Sequence, residues 1–206
     1  MYKRMTMKNL IVILDNGHGI NTKGKCSPDK SIYEWKYCRE IVQDIYNQLV
    51  KEGIDTRILV SEDNDISLKE RVKRANKIYN EGKLKGYNTI LISVHLNAAG
   101  NGTQWMNASG WSGWVAETAS NKSVVLEQLL YKHAEECGLK GNRAVPVDRC
   151  WRANFYICKN TLCPAVLTEN MFQDNKDDVQ LLLSDEGRNK IIQLHVNAIK
   201  EYLYNI

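Results

Sequence analysis

Four residues in this chain could do chemistry together. His18 stands in Asn16-Gly17-His18-Gly19, at the end of the apolar run Leu10 to Leu14. His95 stands in Ser93-Val94-His95-Leu96-Asn97, at the end of the apolar run Thr89 to Val94. Glu169 follows Ala165-Val166-Leu167-Thr168, and Glu34 falls near the start of a helical pattern. Two histidines and one carboxylate form a standard catalytic zinc set that leaves a position for water. Zinc lowers the pKa of water to about 7, and a second carboxylate can take the proton and pass it to a leaving group. That combination suits metal-assisted hydrolysis of an amide. Each residue alone has a plainer explanation. A Gly-His-Gly is commonly a turn, and a glutamate opening a helix benefits from the helix dipole. The case rests on three of them falling at strand ends.

The elements that must position these residues follow a strand, loop, helix rhythm. Residues 10–15 form an apolar strand. Ser31 with Glu34 makes a capping-box pattern for a helix over 32–52, whose Ile41, Ile45 and Leu49 recur at helical spacing. Gly53 ends it. A second strand covers 54–60, Ser67 caps a helix over 68–80, and 89–94 is a continuously apolar third strand, as expected with both faces covered. A Gly-, Asn- and Trp-rich stretch follows over 97–113. The pattern then predicts a strand over 114–118, a helix over 123–137, strands over 153–158 and 165–168, and helices over 177–183 and 187–204. Alternation of this kind predicts an α/β protein. Its expected form is a three-layer αβα sandwich, with a mostly parallel central sheet of about six strands and helices on both faces. Ligands in such sheets bind at the carboxyl ends of strands. His18, His95 and Glu169 would then share one edge, with Glu34 over it.

The chain has 206 residues, 43% hydrophobic and 25% charged, with three prolines and a net charge of +4. This fits a single domain over 1–206 with no separate wall-binding repeat, and a monomer. The mild positive charge favours an anionic partner such as a cell-wall polymer. Lysines and arginines are interleaved with acids, so no nucleic-acid patch is indicated, and no stretch has the length of a membrane span. The apolar run after Met-Tyr-Lys-Arg-Met-Thr-Met-Lys-Asn is too short for a signal peptide and precedes no small-residue cleavage site. The six cysteines show no Cys-x-x-Cys spacing and are expected to be free thiols, although a bridge among the last four would suit a secreted protein.

The segments "ILDNGHG", "SIYEWKYCREIVQDIYNQLVKEG", "SLKERVKRAN", "LISVHLNA", "NRAVP" and "NTLCPAVLTENMFQDNKDDVQLL" occur in an order that resembles the zinc-dependent N-acetylmuramoyl-L-alanine amidases of the amidase-3 type. The resemblance implies one Zn2+ held by His18, Glu34 and His95, with Glu169 as the catalytic glutamate. It implies peptidoglycan as partner, and cleavage between the lactyl group of N-acetylmuramic acid and L-alanine of the stem peptide. The enzyme would act on the cell wall. With no signal peptide read in this chain, it would be released by a helper, as a phage or prophage endolysin is, or lack a host signal. A non-catalytic binder of peptidoglycan fragments and a zinc peptidase cutting within the stem peptide are the alternatives. There are departures: Ile20-Asn21-Thr22 follows Gly19 where the family often has Gly and an Asp, Cys38 stands where an Asn is frequent, and Glu169-Asn170-Met171-Phe172 stands where E-x-G-F is usual.

Three further residues are candidates for substrate binding. Trp111, in the loop with Trp105 and Trp114, could stack on a sugar or pack the loop onto the body. Asn97 could bond substrate or hold the loop. Arg152, like Arg143, suits bidentate carboxylate recognition but is also an ordinary surface residue. His133 and His195 lie within helices and read as structural. Arg71 and Asn76 are explained equally by packing or capping.

Overall fold

The computed structural model describes residues 9–142 and 144–205. Strands β1 (Leu10–Asn16), β2 (Asp55–Ile58), β3 (Asn88–Asn97), β4 (Ser112–Val115), β5 (Trp151–Arg152) and β6 (Ala165–Phe172) form one sheet in the order β2-β1-β3-β6-β4-β5. The first four in that order are parallel, and β4 runs antiparallel to β6. This is the expected α/β sandwich. Alternate residues of the central strands enter two cores, as the period of two requires. Leu10, Val12 and Leu14 pack under α1 (Glu34–Lys51), α3 (Asn121–Glu136), α5 (Lys176–Leu183) and α6 (Asp185–Asn205). Ile11 and Ile13 pack under α2 (Leu68–Leu84) and α4 (Tyr156–Asn160).

Several element boundaries differ from expectation. Ser31 does not cap α1. Its hydroxyl bonds Asp29, and Tyr33 is the residue before the helix, with no side-chain cap. Ser67 does cap α2, accepting from the Glu70 N–H. Helix α3 begins earlier than residue 123, because Ser120 accepts the Ser123 N–H. Residues 153–158 are not a strand. Pairing with β4 ends at Arg152, and a short helix follows that turns Ile157 and Cys158 into the second core. Burial overrode the strand preference of an aromatic and apolar run.

All six cysteines are free thiols. His195 is fully buried, with Nε2 3.0 Å from the Thr168 hydroxyl and Nδ1 2.7 Å from the Ile191 carbonyl. His133 lies between Glu136 and Glu201. Both are structural, as expected. No helix among the described residues is long and apolar enough to cross a membrane. Arg143 lies outside the described residues, as does the start of the chain through Lys8.

Candidate metal centre and active site

The carboxyl ends of β1, β3 and β6 converge with the first turn of α1. His18 Nε2 lies 3.3 Å and His95 Nδ1 3.1 Å from the same Glu34 oxygen, Oε1. The two imidazoles meet edge to face with centroids 5.1 Å apart. One donor atom from each of the three residues falls within 4.8 Å of the other two. Parallel pairing sets His95 of β3 directly beside Glu169 of β6. All four residues line one cavity of about 690 Å³. Two imidazole nitrogens and a carboxylate oxygen, gathered around a common point and open to a cavity on one side, fit zinc.

The glycines flanking His18 have a job that is not conformational. A Cβ on Gly17 would lie 2.5 Å from the His95 ring, and one on Gly19 would lie 2.0 Å from the Asp65 backbone nitrogen. Both glycines therefore let other groups approach. The left-handed residue of the turn is His18 itself, at φ 61°. That conformation costs a non-glycine residue roughly 1–2 kcal/mol. Two arginines hold it. The His18 carbonyl accepts from Arg39 Nη1 at 3.0 Å and from Arg71 Nη2 at 3.3 Å. Arg71 is buried and spends its whole guanidinium on this region, also donating to the Asn16 and Ile66 carbonyls and to the Asp15 and Asp65 carboxylates. The other oxygen of Asp15 accepts from the Ser93 hydroxyl at 2.6 Å.

Glu34 is fully buried, and its four contacts leave it little freedom. Oε1 also accepts the Leu96 N–H at 3.1 Å, and Oε2 accepts from Gln173 Nε2 at 2.9 Å. Burial pushes its pKa up, but the hydrogen bonds and charges of His18 and His95 outweigh that and hold it well below the usual carboxylate range. Glu169 behaves in the opposite way. Burial, then the charge of Glu34, push its pKa well above the usual range, with Lys25 opposing. Its Oε2 has no hydrogen-bond partner among the described residues. Two neighbouring carboxyls with opposed proton affinities are the pattern of one ligand and one proton carrier.

The three proposed substrate contacts separate. Asn97 lines the cavity, while its Oδ1 accepts the Ala98 N–H at 2.9 Å. Trp111 is completely buried and donates from Nε1 to Asn170 Oδ1 at 2.9 Å, so its ring has no face for a sugar. Its neighbours in the loop sequence gave no sign that the indole would turn inward. Arg152 is exposed on the edge strand, pairs with Asp148, and does not line the cavity. Gln173, directly after β6, and Arg39, in α1, were missed because each acts through hydrogen bonds to a site residue and neither is itself of a metal-ligating type. Arg71 was noticed, but only a structure reveals that its partners are spread over residues 15–66.

The family model for N-acetylmuramoyl-L-alanine amidase, Amidase_3, matches residues 12–201. The chain belongs to this family. The chain is 28% identical over 197 residues to an endolysin of Bacillus phage SPP1, covering 94% of this chain and 66% of the relative. It is 26% identical over 190 residues to the N-acetylmuramoyl-L-alanine amidase CwlM of Bacillus licheniformis, covering 91% and 66%. The chain thus spans a little under two thirds of the length of these relatives. Among solved structures it resembles an N-acetylmuramoyl-L-alanine amidase from Clostridium difficile 630, with a TM-score of 0.77, 26% identity, and 96% and 98% of the two chains covered. The Ami1 amidase of Mycobacterium smegmatis shares the fold, with a TM-score of 0.80 at 18% identity over 97% and 99% of the chains.

Proposed function

We propose that this chain is a zinc-dependent cell-wall amidase that cleaves between the lactyl group of N-acetylmuramic acid and L-alanine of the stem peptide. One observation carries the proposal: His18, Glu34 and His95 gather their donor atoms within 4.8 Å of one another, with Glu169 paired beside His95 over the same cavity. His18, Glu34 and His95 would hold the ion. Bound zinc supplies Lewis acidity, lowering the pKa of water to about 7 and polarising a carbonyl.

The chain's own groups account for the proton's path. Glu169 takes a proton from the attacking water as the new C–O bond forms. It returns that proton to the alanine nitrogen as the C–N bond breaks, leaving a lactyl carboxylic acid and a peptide with a free amino terminus. The raised proton affinity of Glu169 suits it to this double duty. Gln173 and the Leu96 N–H fix Glu34, while Arg39 and Arg71 fix the backbone of His18. Similarity to a phage endolysin supports a lytic role at the cell wall.

Mass spectrometry of digested peptidoglycan tests the proposal. Stem peptides beginning with L-alanine are expected, lost with a chelator and restored by zinc. Glu169→Gln is expected to lower turnover by 100-fold or more while zinc still binds. Cuts within the peptide would make the protein a peptidase. No products from folded, zinc-loaded protein would make it a binder.

A further inference from the structure

A second hollow, of about 440 Å³, lies between the turn after His18 and the start of α1. Ile20, Lys23, Lys25, Cys26, Tyr33 and Trp35 line it. Lys25 also lines the catalytic cavity, so the two hollows share one lining residue. Ile20 is 57% and Tyr33 42% exposed, so both offer apolar surface at the groove. Trp35 is half-buried, with the Arg39 guanidinium 5.6 Å from its ring centroid. The same Arg39 holds the carbonyl of the metal-site residue His18. Helix α1 thus carries Glu34 toward the proposed metal and Trp35 into the adjoining groove.

We propose that this groove binds the glycan strand of peptidoglycan, as N-acetylated sugars. The inference rests on the amidase proposal for its substrate. The bond assigned to the catalytic cavity has a sugar on one side and a peptide on the other, so a glycan arm must leave the cavity along the surface. A groove that shares Lys25 with the cavity and is lined by aromatic rings suits the apolar faces of pyranose rings. Lysine ammonium groups at its border suit hydroxyl and acetyl oxygens, and sites of this kind combine apolar walls with few polar groups. Trp111, which the sequence left open between stacking on sugar and packing the loop, is buried, whereas Tyr33 is exposed and Trp35 half-buried at the groove.

The test is a titration of the 15N-labelled protein with a β-1,4-linked N-acetylglucosamine tetramer, which carries no stem peptide. The indole N–H of Trp35, assigned by its loss in Trp35→Phe, is expected to shift saturably. Tyr33→Ala and Ile20→Ser each remove an exposed side chain and are expected to weaken binding about three- to tenfold. Failure of the Trp35 signal to move at millimolar tetramer would overturn the proposal. So would unchanged affinity in both variants, or a response of Trp35 to free stem peptide and not to sugar. Peptide release with a silent Trp35 would defeat the groove alone. A responding Trp35 in a protein that releases no peptide would defeat the amidase proposal alone.

Discussion

At the scale of single residues, the proposed centre depends on side chains that touch neither metal nor substrate. Gln173 donates to the Glu34 oxygen that faces away from both histidines. Replacing Gln173 by Met leaves that buried oxygen without a donor. Groups in this position typically contribute 10- to 100-fold in metal affinity. The expected result is a loss of that size in zinc binding, read by competition with a chromophoric chelator, with little change in the fold. Arg71 is more demanding. Its partner Asp15 is buried, so Arg71→Met strands a carboxylate and is expected to cost about 3–5 kcal/mol of stability, measured by urea unfolding. Lysine will not rescue it, because one ammonium cannot replace a planar fork that serves five acceptors.

At the scale of elements, the two glycines around His18 are expected to fail differently. Gly17→Ala presses on a side chain, the His95 ring, whereas Gly19→Ala presses on the backbone at Asn64 and Asp65. Thermal melts of the metal-free proteins are expected to change little for Gly17→Ala and to fall by several degrees for Gly19→Ala. Both are expected to bind zinc more weakly. Strand ends were the legible part of this architecture, because β1, β3 and β6 are apolar runs that stop at polar residues. His18, His95 and Glu169 could therefore be placed along one edge before any coordinates. The fates of Trp111 and residues 153–158 were not legible. Both depend on what fills the space between β4 and its covering helices, and that is a tertiary matter. Gln173 was hidden for another reason. Between His95 and Asn97, the single residue Leu96 of β3 stands against two of β6, Asn170 and Met171, and Met171 in this bulge takes φ 67°. Simple alternation along the strand therefore stops giving the correct face just before Gln173.

At the scale of the molecule, two buried titratable groups outside the proposed site contribute to the response of stability to pH. Burial lowers the pKa of His195 from 6.5 to about 4. The unfolded chain therefore takes its proton first as pH falls. Stability present above pH 6.5 declines toward pH 4, by about 3 kcal/mol at the limit. Glu127 in α3 is also fully buried, and burial raises its pKa from 4.5 to about 9. Here the unfolded chain loses its proton first, so stability declines as pH rises from 4.5 toward 9. Urea midpoints measured across this range are expected to flatten on the acid side in His195→Gln and on the alkaline side in Glu127→Gln. The proposed catalytic groups face the cavity, whereas His195 bonds Thr168, the residue before Glu169.

The bulge in β6 also bears on which changes of chain length this protein could survive. Removing Met171 would restore a regular ladder and relieve a strained residue, which ordinarily favours a strand. It would also turn everything downstream by half a period. Gln173 would leave Glu34, and Asp174, which takes the N–H groups of Ala99 and Gly100, would lose its hold on the cavity wall. The extra residue is in effect a phase correction. A deletion that improves the strand would put the site out of step.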